Sequence, residues 1–452
     1  MKKYVATAVF CIAVLLGGMT SASATDIDLL VNKLVEKGVL TQGEAQQLVT
    51  ETKEDIRRQN AEGTNESLPS WLQKTKFSGD MRVRYQGEEH SSAPNPAQAN
   101  HRDRGRFRLR YGFDMKPNDL MHVGFRMATG ENKMSGTTAA GPELTSTNQS
   151  FTNTFNNKWI WVDQAYVDYV PFGHTSLPIL KDTKLIGGKF PNPFYTTDMV
   201  WDPDINPEGG VIQISPTFGT LKPFATFGFL PMGESSADNN DPYIWAGQLG
   251  LSGVLMNRPF KVAGAYYDFQ HVKGMTTTTY TGGWAPTFTN SATGIGLLQY
   301  AFNVIEGTAE FSPIDVSIPF VDNPMPLTIM GDYAYNAGKA DDTIDPKTPK
   351  YNTAWLIGAK IGKASGKGTW EAFYNFREIG RDAVYSWIND SDFHLGGTAS
   401  MGHKFGLTYA IMPSSTISAT CFITRPYKYV LASTANTSNN INIIMLDWVT
   451  KF

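Results

Sequence analysis

The sequence predicts an all-β fold: a transmembrane antiparallel β-barrel of about 16 strands, preceded by a short N-terminal helical segment in the periplasm. Three observations predict it. Apolar and polar side chains alternate with period two from residue 76 to the end of the 452-residue chain. Most candidate strands are about 9–12 residues long, the length that a tilted strand needs to cross a bilayer. Short turns alternate along the chain with long polar loops, as they do in outer-membrane barrels.

The first 24 residues are typical of a secretory signal peptide. Lys2 and Lys3 supply a positive start, residues 4–18 are almost wholly apolar, and Ala22-Ser23-Ala24 has the small residues of a cleavage site. The apolar run is about 15 residues long, whereas a membrane-spanning helix needs about 20. We therefore predict that the chain is exported and that residues 1–24 are removed.

Residues 25–67 are predicted to form a periplasmic helical segment and a linker. Gly38 ends a first helix, the capping box of residues 41–44 begins a second, and residues 60–67 have the composition of a flexible linker. This segment is either an interaction element or a solvated spacer. The first helix has apolar residues at helical spacing: Ile27, Leu30, Val31, Leu34 and Val35.

Residues 68–452 are predicted to form the barrel. In residues 106–111, for example, three arginines alternate with Phe107, Leu109 and Tyr111. A soluble β-sandwich would also alternate, but the strand lengths and connections favour a barrel in lipid. The candidate strands begin near Lys76, Asp103, Asp119, Lys158, Asp182, Gly210, Leu221, Tyr243, Pro259, Ile295, Pro326, Tyr351, Gly368, Ala399, Ser415 and Asn440.

The connections between these strands alternate in length. Residues 116–119 and 256–258 are short turns, and residues 130–157 form one of the long polar loops. Two connections, residues 171–181 and 313–324, fall where a short turn is due but are longer. We expect both to be extended turns at the periplasmic end of the barrel.

The last strand must pair with the first, because an unpaired strand edge cannot be satisfied in lipid. Ile444, Leu446, Trp448 and Phe452 share one parity, and Phe452 is the final residue. A terminal phenylalanine on an aromatic strand resembles the signal that the outer-membrane barrel-assembly machinery reads, although Thr450 departs from that pattern. We therefore predict that Trp448 and Phe452 form the assembly signal.

Three stretches resemble the bacterial putative-porin family: residues 187–210, residues 34–45 and residues 77–85. The first is the most specific, with its run Gly-Lys-Phe-Pro-Asn-Pro-Phe-Tyr. The resemblance implies an outer-membrane porin, a water-filled channel for passive diffusion of small hydrophilic solutes or ions. An outer-membrane adhesin or structural anchor, or a barrel hydrolase, is the alternative. Conductance in a planar bilayer separates these classes.

A basic column follows the polar parity of the first three strands. A charged side chain facing lipid near the midplane costs about 2–4 kcal/mol, so this parity must face the lumen. Arginine stays charged, and a column of such groups biases a pore toward anions. Alternatively, the column is a structural ladder neutralised by Asp80, Asp114 and the acidic residues of an inward-folded loop. The predicted pore-lining residues are Arg82, Arg84, Arg106, Arg108, Arg110, Arg126 and Asp80.

An acidic loop, residues 191–209, is the candidate for folding into the pore. Its carboxylates would oppose the arginines and create a transverse field. Asp202-Pro203-Asp204 also suggests a calcium site, but the prolines break the spacing of an EF-hand loop. The constriction-loop candidates are Asp198, Asp202, Asp204 and Glu208. Asp332, Arg377 and Lys404 lie on other lumen parities.

Composition and motifs argue against other functions. The formal charge is −3, and loss of Lys2 and Lys3 makes it −5, so nucleic-acid binding is not expected. The sequence has no Gly-x-Ser-x-Gly elbow, no His-Glu-x-x-His motif and no Cys-x-x-Cys-His motif. We predict no enzymatic activity, no cofactor and no metal. The expected partners are outer-membrane lipid, the barrel-assembly machinery and small solutes, with a homotrimer suggested by analogy with 16-stranded porins.

Overall fold

The structure is a computed structural model. It describes residues 70–91, 101–133, 141–151, 157–234, 240–275, 289–291, 297–318, 324–339, 351–427 and 440–452. The predicted signal peptide and the helical segment with its linker lie outside the described residues. A short helix, α1 (Ser70–Gln73), precedes the first strand. Within the ranges given above, no helix has the length and apolar character to cross a membrane.

Sixteen long strands make up the barrel in the part of the chain that the structure describes. A second short helix, α2 (Pro178–Lys181), lies between the fourth and fifth strands. The strands are β1 (Thr75–His90), β2 (His101–Asn118), β3 (Met121–Thr129), β4 (Ile160–Tyr169), β5 (Lys184–Lys189), β6 (Glu208–Ile214), β7 (Leu221–Pro231), β8 (Tyr243–Leu255), β9 (Arg258–Gln270), β10 (Phe302–Val316), β11 (Met325–Asn336), β12 (Thr353–Gly362), β13 (Trp370–Ile379), β14 (Ser400–Met412), β15 (Ser415–Pro426) and β16 (Ile441–Lys451).

The barrel closes between β1 and β16. These strands pair antiparallel, from Asp80 opposite Lys451 to His90 opposite Ile441. Phe452 extends the seam, because its backbone N–H donates to Gly79 O at 3.0 Å and its carbonyl accepts from Gly79 N at 2.9 Å. A Cβ at position 79 would lie 2.6 Å from the Phe452 ring, so glycine allows this close approach. Closure gives every edge group a partner.

The predicted fold class is confirmed, and the strand starts agree with the sequence analysis to within two residues, with one exception. The strand expected near Ile295 begins at Phe302. The end of that strand also differs. Residues 313–324 were expected to be a turn, but β10 continues through Pro313 to Val316. A bulge between Phe311 and Ile314 accommodates the proline, which has no N–H to donate.

Two other connections match their sequence patterns. Residues 170–183 form an extended connection that contains α2. The hairpin between β8 and β9 turns through Met256 and Asn257, whose φ values are 51° and 61°. Two consecutive positive φ values are the signature of a type I′ turn, whose twist matches that of the flanking strands.

The two faces of each strand differ in polarity and in exposure, as the alternation of apolar and polar residues predicts. On β1, Met81, Val83 and Tyr85 are exposed, whereas Arg84 and Gln86 are buried. The apolar parity therefore forms the outer surface and the polar parity lines the interior. Part of that interior is itself apolar. A buried apolar cluster inside the barrel contains Tyr267, Phe269, Phe302, Tyr385 and Phe393.

Candidate functional site

The connection between β5 and β6, residues 190–207, crosses the inside of the barrel; we call it the crossing loop. Its first anchor is β8, where the Tyr195 N–H donates to Gln248 Oε1 and Gln248 Nε2 donates to Tyr195 O, both at 2.8 Å. Its next residues reach β10 and β11. Thr196 Oγ1 donates to Glu306 and Thr197 Oγ1 donates to Asp332, each at 2.5 Å.

The loop then reaches the far side of the lumen. Asp198 accepts from Arg377 of β13 at 3.0 Å and from Lys404 of β14. Asp204 lies 3.7 Å from both Arg108 and Arg110 of β2. Asn206 Nδ2 donates to Asp163 of β4 at 2.8 Å. These contacts alone join a span of twelve residues of the loop to seven strands, and they hold the loop across the lumen.

Apolar side chains also hold the crossing loop in place. Phe190, Phe194, Met199 and Trp201 are buried. The rings of Phe194 and Trp201 lie 5.5 and 5.7 Å from the ring of Tyr267 on β9. Burying such a side chain contributes roughly 1.5–3 kcal/mol. The sequence analysis treated this loop as polar; its aromatic residues and Met199 were the signal that it packs inward.

A second connection supports the crossing loop. Residues 380–399, between β13 and β14, fold inward and bond to it through the backbone: Asp202 N donates to Ile388 O at 2.5 Å and Asp390 N donates to Asp198 O at 3.0 Å. Asp202 accepts from the N–H of Ser391 at 2.9 Å. The sequence analysis did not identify this supporting loop.

Several arginines on β1–β3 are paired with carboxylates on the inner face. Arg84, only 6% exposed, forms a bidentate pair with Asp447 of β16 at 2.7 and 2.9 Å. Asp80 accepts from Arg108 at 2.7 Å and from Arg110 at 2.8 Å. These pairs are charge-assisted hydrogen bonds between buried groups, so each arginine is compensated locally.

Two arginines of the same wall contact neutral groups instead. Arg82 donates to Asn148 Oδ1 at 2.6 Å. Arg106 donates to Gln86 at 3.1 Å and to Ser146 at 3.4 Å. Among the described residues neither has a carboxylate within ion-pair distance. Arg126 differs from both, because it pairs with Asp163 at 2.5 Å.

The acidic residues of the loop have different surroundings. Asp204 meets the arginines, as the sequence analysis expected of an inward loop, whereas Asp198 meets Arg377 and Lys404. Glu208 is the first residue of β6; its side chain is exposed and pairs with Lys189 at 3.1 Å. Asp114, which the ladder alternative invoked, pairs with His122 and is half exposed. Whether these residues set permeation stays a prediction.

The surroundings of Asp198 and Asp202 shift the pKa values of the two carboxyls in opposite directions. Burial raises the pKa of Asp198, but the charges of Arg377 and Lys404 outweigh it and hold that pKa below its usual range. Burial raises the pKa of Asp202 well above its usual range, and the charges of Asp204 and Asp390 add to the rise. The crossing loop therefore carries one carboxylate that its cationic neighbours stabilise and one whose charge its environment disfavours.

Cavities lie beside the crossing loop. One of about 370 Å³ is lined by Tyr195, Phe224 and Lys261, toward the ends of the strands that short turns connect. Another, of about 450 Å³, is lined by Trp201, Asp204, Tyr385 and residues of the long loops. Residues of the crossing loop thus line both cavities.

Comparisons with known proteins agree with this architecture. The family described as putative porin matches residues 88–303 and 300–452. The high-pH structure of Pseudomonas putida OprB is 11% identical, with a TM-score of 0.51 over 84% of this chain and 95% of that chain. A loop-deletion mutant of the Vibrio cholerae outer-membrane protein OmpT is 10% identical, with a TM-score of 0.42 over 84% and 99% of the two chains. No curated protein matches the sequence.

Proposed function

The chain belongs to the putative porin family of outer-membrane channels, and on this premise we propose that it passes small hydrophilic solutes and ions by passive diffusion, with a modest preference for anions. The observation that carries the proposal is the closed barrel with an apolar outer face and a charged, loop-crossed interior. The inward loop narrows the barrel, and cavities of about 370 and 450 Å³ lie beside it.

The anion preference rests on the arginines without a carboxylate. A paired arginine adds little net field, because its partner's charge lies within about 3 Å. Arg82 and Arg106 have only neutral hydrogen-bond partners among the described residues, so their charge is cancelled less completely than that of the ion-paired arginines. Exposed charges act over a Debye length of about 8–10 Å. The carboxylates of Glu131, Glu143 and Asp392 act on Arg106 and offset part of its charge.

Planar-bilayer recording tests the channel. The purified, folded protein is expected to produce stepwise open-pore currents, and a salt gradient is expected to give a reversal potential on the anion-selective side. A protein that inserts but carries no current, and instead hydrolyses lipid or captures an extracellular ligand, would favour the hydrolase or the adhesin. A cation-selective pore would remove the proposed preference and leave the channel intact.

We further propose that the signal peptide is cleaved and that Trp448 and Phe452 are read by the barrel-assembly machinery. Phe452 contributes two backbone hydrogen bonds to the β1–β16 seam, so its loss weakens the last closure step. Deletion of Phe452 is expected to reduce the amount of heat-modifiable barrel in the outer membrane while processing of the precursor continues. Normal barrel yield after the deletion would contradict the assignment.

A further inference from the structure

A pair of buried carboxyl groups lies on the barrel wall beside the crossing loop. Glu306 of β10 is 2% exposed and Asp332 of β11 is 4% exposed. In the register of these strands Asp332 stands opposite Thr308, two residues from Glu306 on the same face. Among the described residues no lysine, arginine or histidine forms an ion pair with either carboxyl, in contrast to the carboxylates beside the arginines.

Hydroxyl groups surround the pair. Thr196 and Thr197 of the crossing loop contact Glu306 and Asp332, each at 2.5 Å. Tyr267 of β9 contacts the other oxygen of Glu306 at 2.8 Å. The hydroxyl donors therefore come from β9 and from the loop, and the carboxyls that accept from them belong to β10 and β11. Every polar atom in the cluster is oxygen, which is the ligand that hard cations prefer.

Two further oxygens make no hydrogen bond of good geometry among the described residues, although Thr308 and Asp332 face each other closely enough to interact. These oxygens are the hydroxyl of Thr308, which is 4% exposed, and Oδ1 of Asp332. They occupy facing positions of β10 and β11 inside the cluster. A buried polar oxygen without a partner costs free energy, and two buried carboxylates without a counter-ion cost more. The two carboxyls also lie within hydrogen-bond distance of each other, so either a bound cation or a shared proton must neutralise them.

We propose that Glu306 and Asp332 bind a divalent cation of the Ca²⁺ class, with the hydroxyls of Thr196, Thr197, Thr308 and Tyr267 completing the shell. Two carboxylates match two positive charges, and together with four hydroxyls they offer the six to eight oxygens that Ca²⁺ takes. Among the described residues, no group of three or more histidine, cysteine or acidic side chains is arranged to hold a metal ion. The site therefore depends on its hydroxyls, and it departs from our sequence-based expectation of no metal.

The bound cation would attach the crossing loop to the barrel wall. Thr196 and Thr197 belong to the loop, whereas the carboxylates belong to strands, so one ion would join the two. The cation would supply at this carboxyl pair the positive charge that Arg377 and Lys404 supply around Asp198. Binding does not depend on whether the channel conducts, so failure of the channel proposal and failure of this one are separable.

Terbium(III) luminescence tests the site. Tb³⁺ substitutes for Ca²⁺ and is excited through nearby aromatic rings; the Tyr267 hydroxyl touches Glu306, and the Trp201 ring is 5.7 Å from the Tyr267 ring. The full-length barrel, folded in an uncharged detergent, is expected to sensitise Tb³⁺ emission, and Ca²⁺ is expected to displace it. The double variant Glu306→Gln/Asp332→Asn is expected to lose both signals.

Two further variants control the experiment. Glu310→Gln removes a carboxylate from the same strand and face, outside the cluster, and is expected to keep the emission. Thr308→Val removes the hydroxyl of that residue with little change of shape and is expected to weaken Ca²⁺ binding by about 10–100-fold, the range for loss of a supporting group in a metal site. Heat-modifiable gel mobility verifies that each variant is folded.

The outcomes are distinct. Emission that Ca²⁺ displaces, that the double variant loses and that Glu310→Gln keeps supports the site. Absence of sensitised emission in the wild type, or equal emission from the wild type and the double variant, overturns it. If the double variant does not fold, unchanged Ca²⁺ affinity in Thr308→Val overturns it equally. If the two carboxyls share a proton and bind no cation, the wild type shows no sensitised emission, and the proposal is overturned.

Discussion

The crossing loop meets two kinds of wall, and its chemistry changes between them. Where the wall is cationic, on β2, β13 and β14, the loop presents carboxylates: Asp204 to Arg108 and Arg110, and Asp198 to Arg377 and Lys404. Where the wall is anionic, on β10 and β11, it presents threonine hydroxyls.

The difference shows how the charges of buried side chains are compensated inside this barrel. On the cationic side each buried charge has a counter-charge from the protein, apart from Arg82 and Arg106 among the described residues. On the anionic side the loop supplies hydrogen bonds but no positive charge. Hydrogen bonds to a carboxylate contribute about 1.5–3 kcal/mol each, which is less than the desolvation penalty of a buried ion. The two sides should therefore respond differently to removal of a charge.

The largest effect is expected from Asp80→Ala. This change leaves Arg108 and Arg110 buried without their shared carboxylate, because Asp204 remains only at 3.7 Å. Breaking a buried ion pair by removing one partner costs about 3–5 kcal/mol. Urea unfolding of the folded barrel in lipid vesicles measures the free energy of unfolding.

Asp114→Ala is the matched control for that measurement. Its side chain is 52% exposed and pairs with His122 at 3.1 Å, so its loss should cost no more than about 1 kcal/mol. Equal losses in the free energy of unfolding for the two variants would show that the buried arginine pairs contribute no more than a surface pair. The contrast drawn between buried and exposed charges would then be wrong.

A smaller, pH-dependent effect is expected from Asp198→Asn. Asp390 still contacts Arg377 and Lys404 in this variant, so the loss should be about 1.5–3 kcal/mol, that of a hydrogen bond to a charged group. The lowered pKa of Asp198 means that its contribution is fully present above the ordinary carboxyl value of about 4 and is lost as pH falls below it.

Unfolding curves at pH 7 and near pH 3 test this sign. The difference between the wild type and Asp198→Asn should be largest at pH 7 and should shrink in acid. A difference that grows as the pH falls would mean that the surrounding cations do not stabilise the ionised form of Asp198.

The smallest effect concerns ion selectivity. Arg82→Gln/Arg106→Gln removes two charges that lack carboxylates, so the reversal potential in a salt gradient should shift toward cations. Arg84→Gln/Asp447→Asn removes one charge of each sign, with no net change in charge, so the reversal potential should shift less than in Arg82→Gln/Arg106→Gln even though Asp392 loses its pair with Arg84. Equal shifts from the two variants would show that pairing does not determine which arginines act on permeating ions.

The sequence by itself determined the strands and their faces. Period two is a local property, and a buried or lipid-facing parity can be recognised from each segment alone. For this reason the alternation in residues 76–85 and 106–111 and the starts of all strands but β10 could be recognised from the sequence without any partner. The arginines face the lumen because they lie on the polar parity of their strands, which is also recognisable from each segment alone.

Only the tertiary structure decided which groups meet. Arg84 and Asp447 are 363 residues apart in sequence and become neighbours because the barrel closes. The crossing loop has no periodicity, and its path depends on seven strands and on the supporting loop with Asp390. The carboxyl pair became visible only when the β10–β11 register placed Glu306 beside Asp332 and the loop brought two hydroxyls to them. Contacts of this kind arise from closure and loop packing, which a local pattern does not encode.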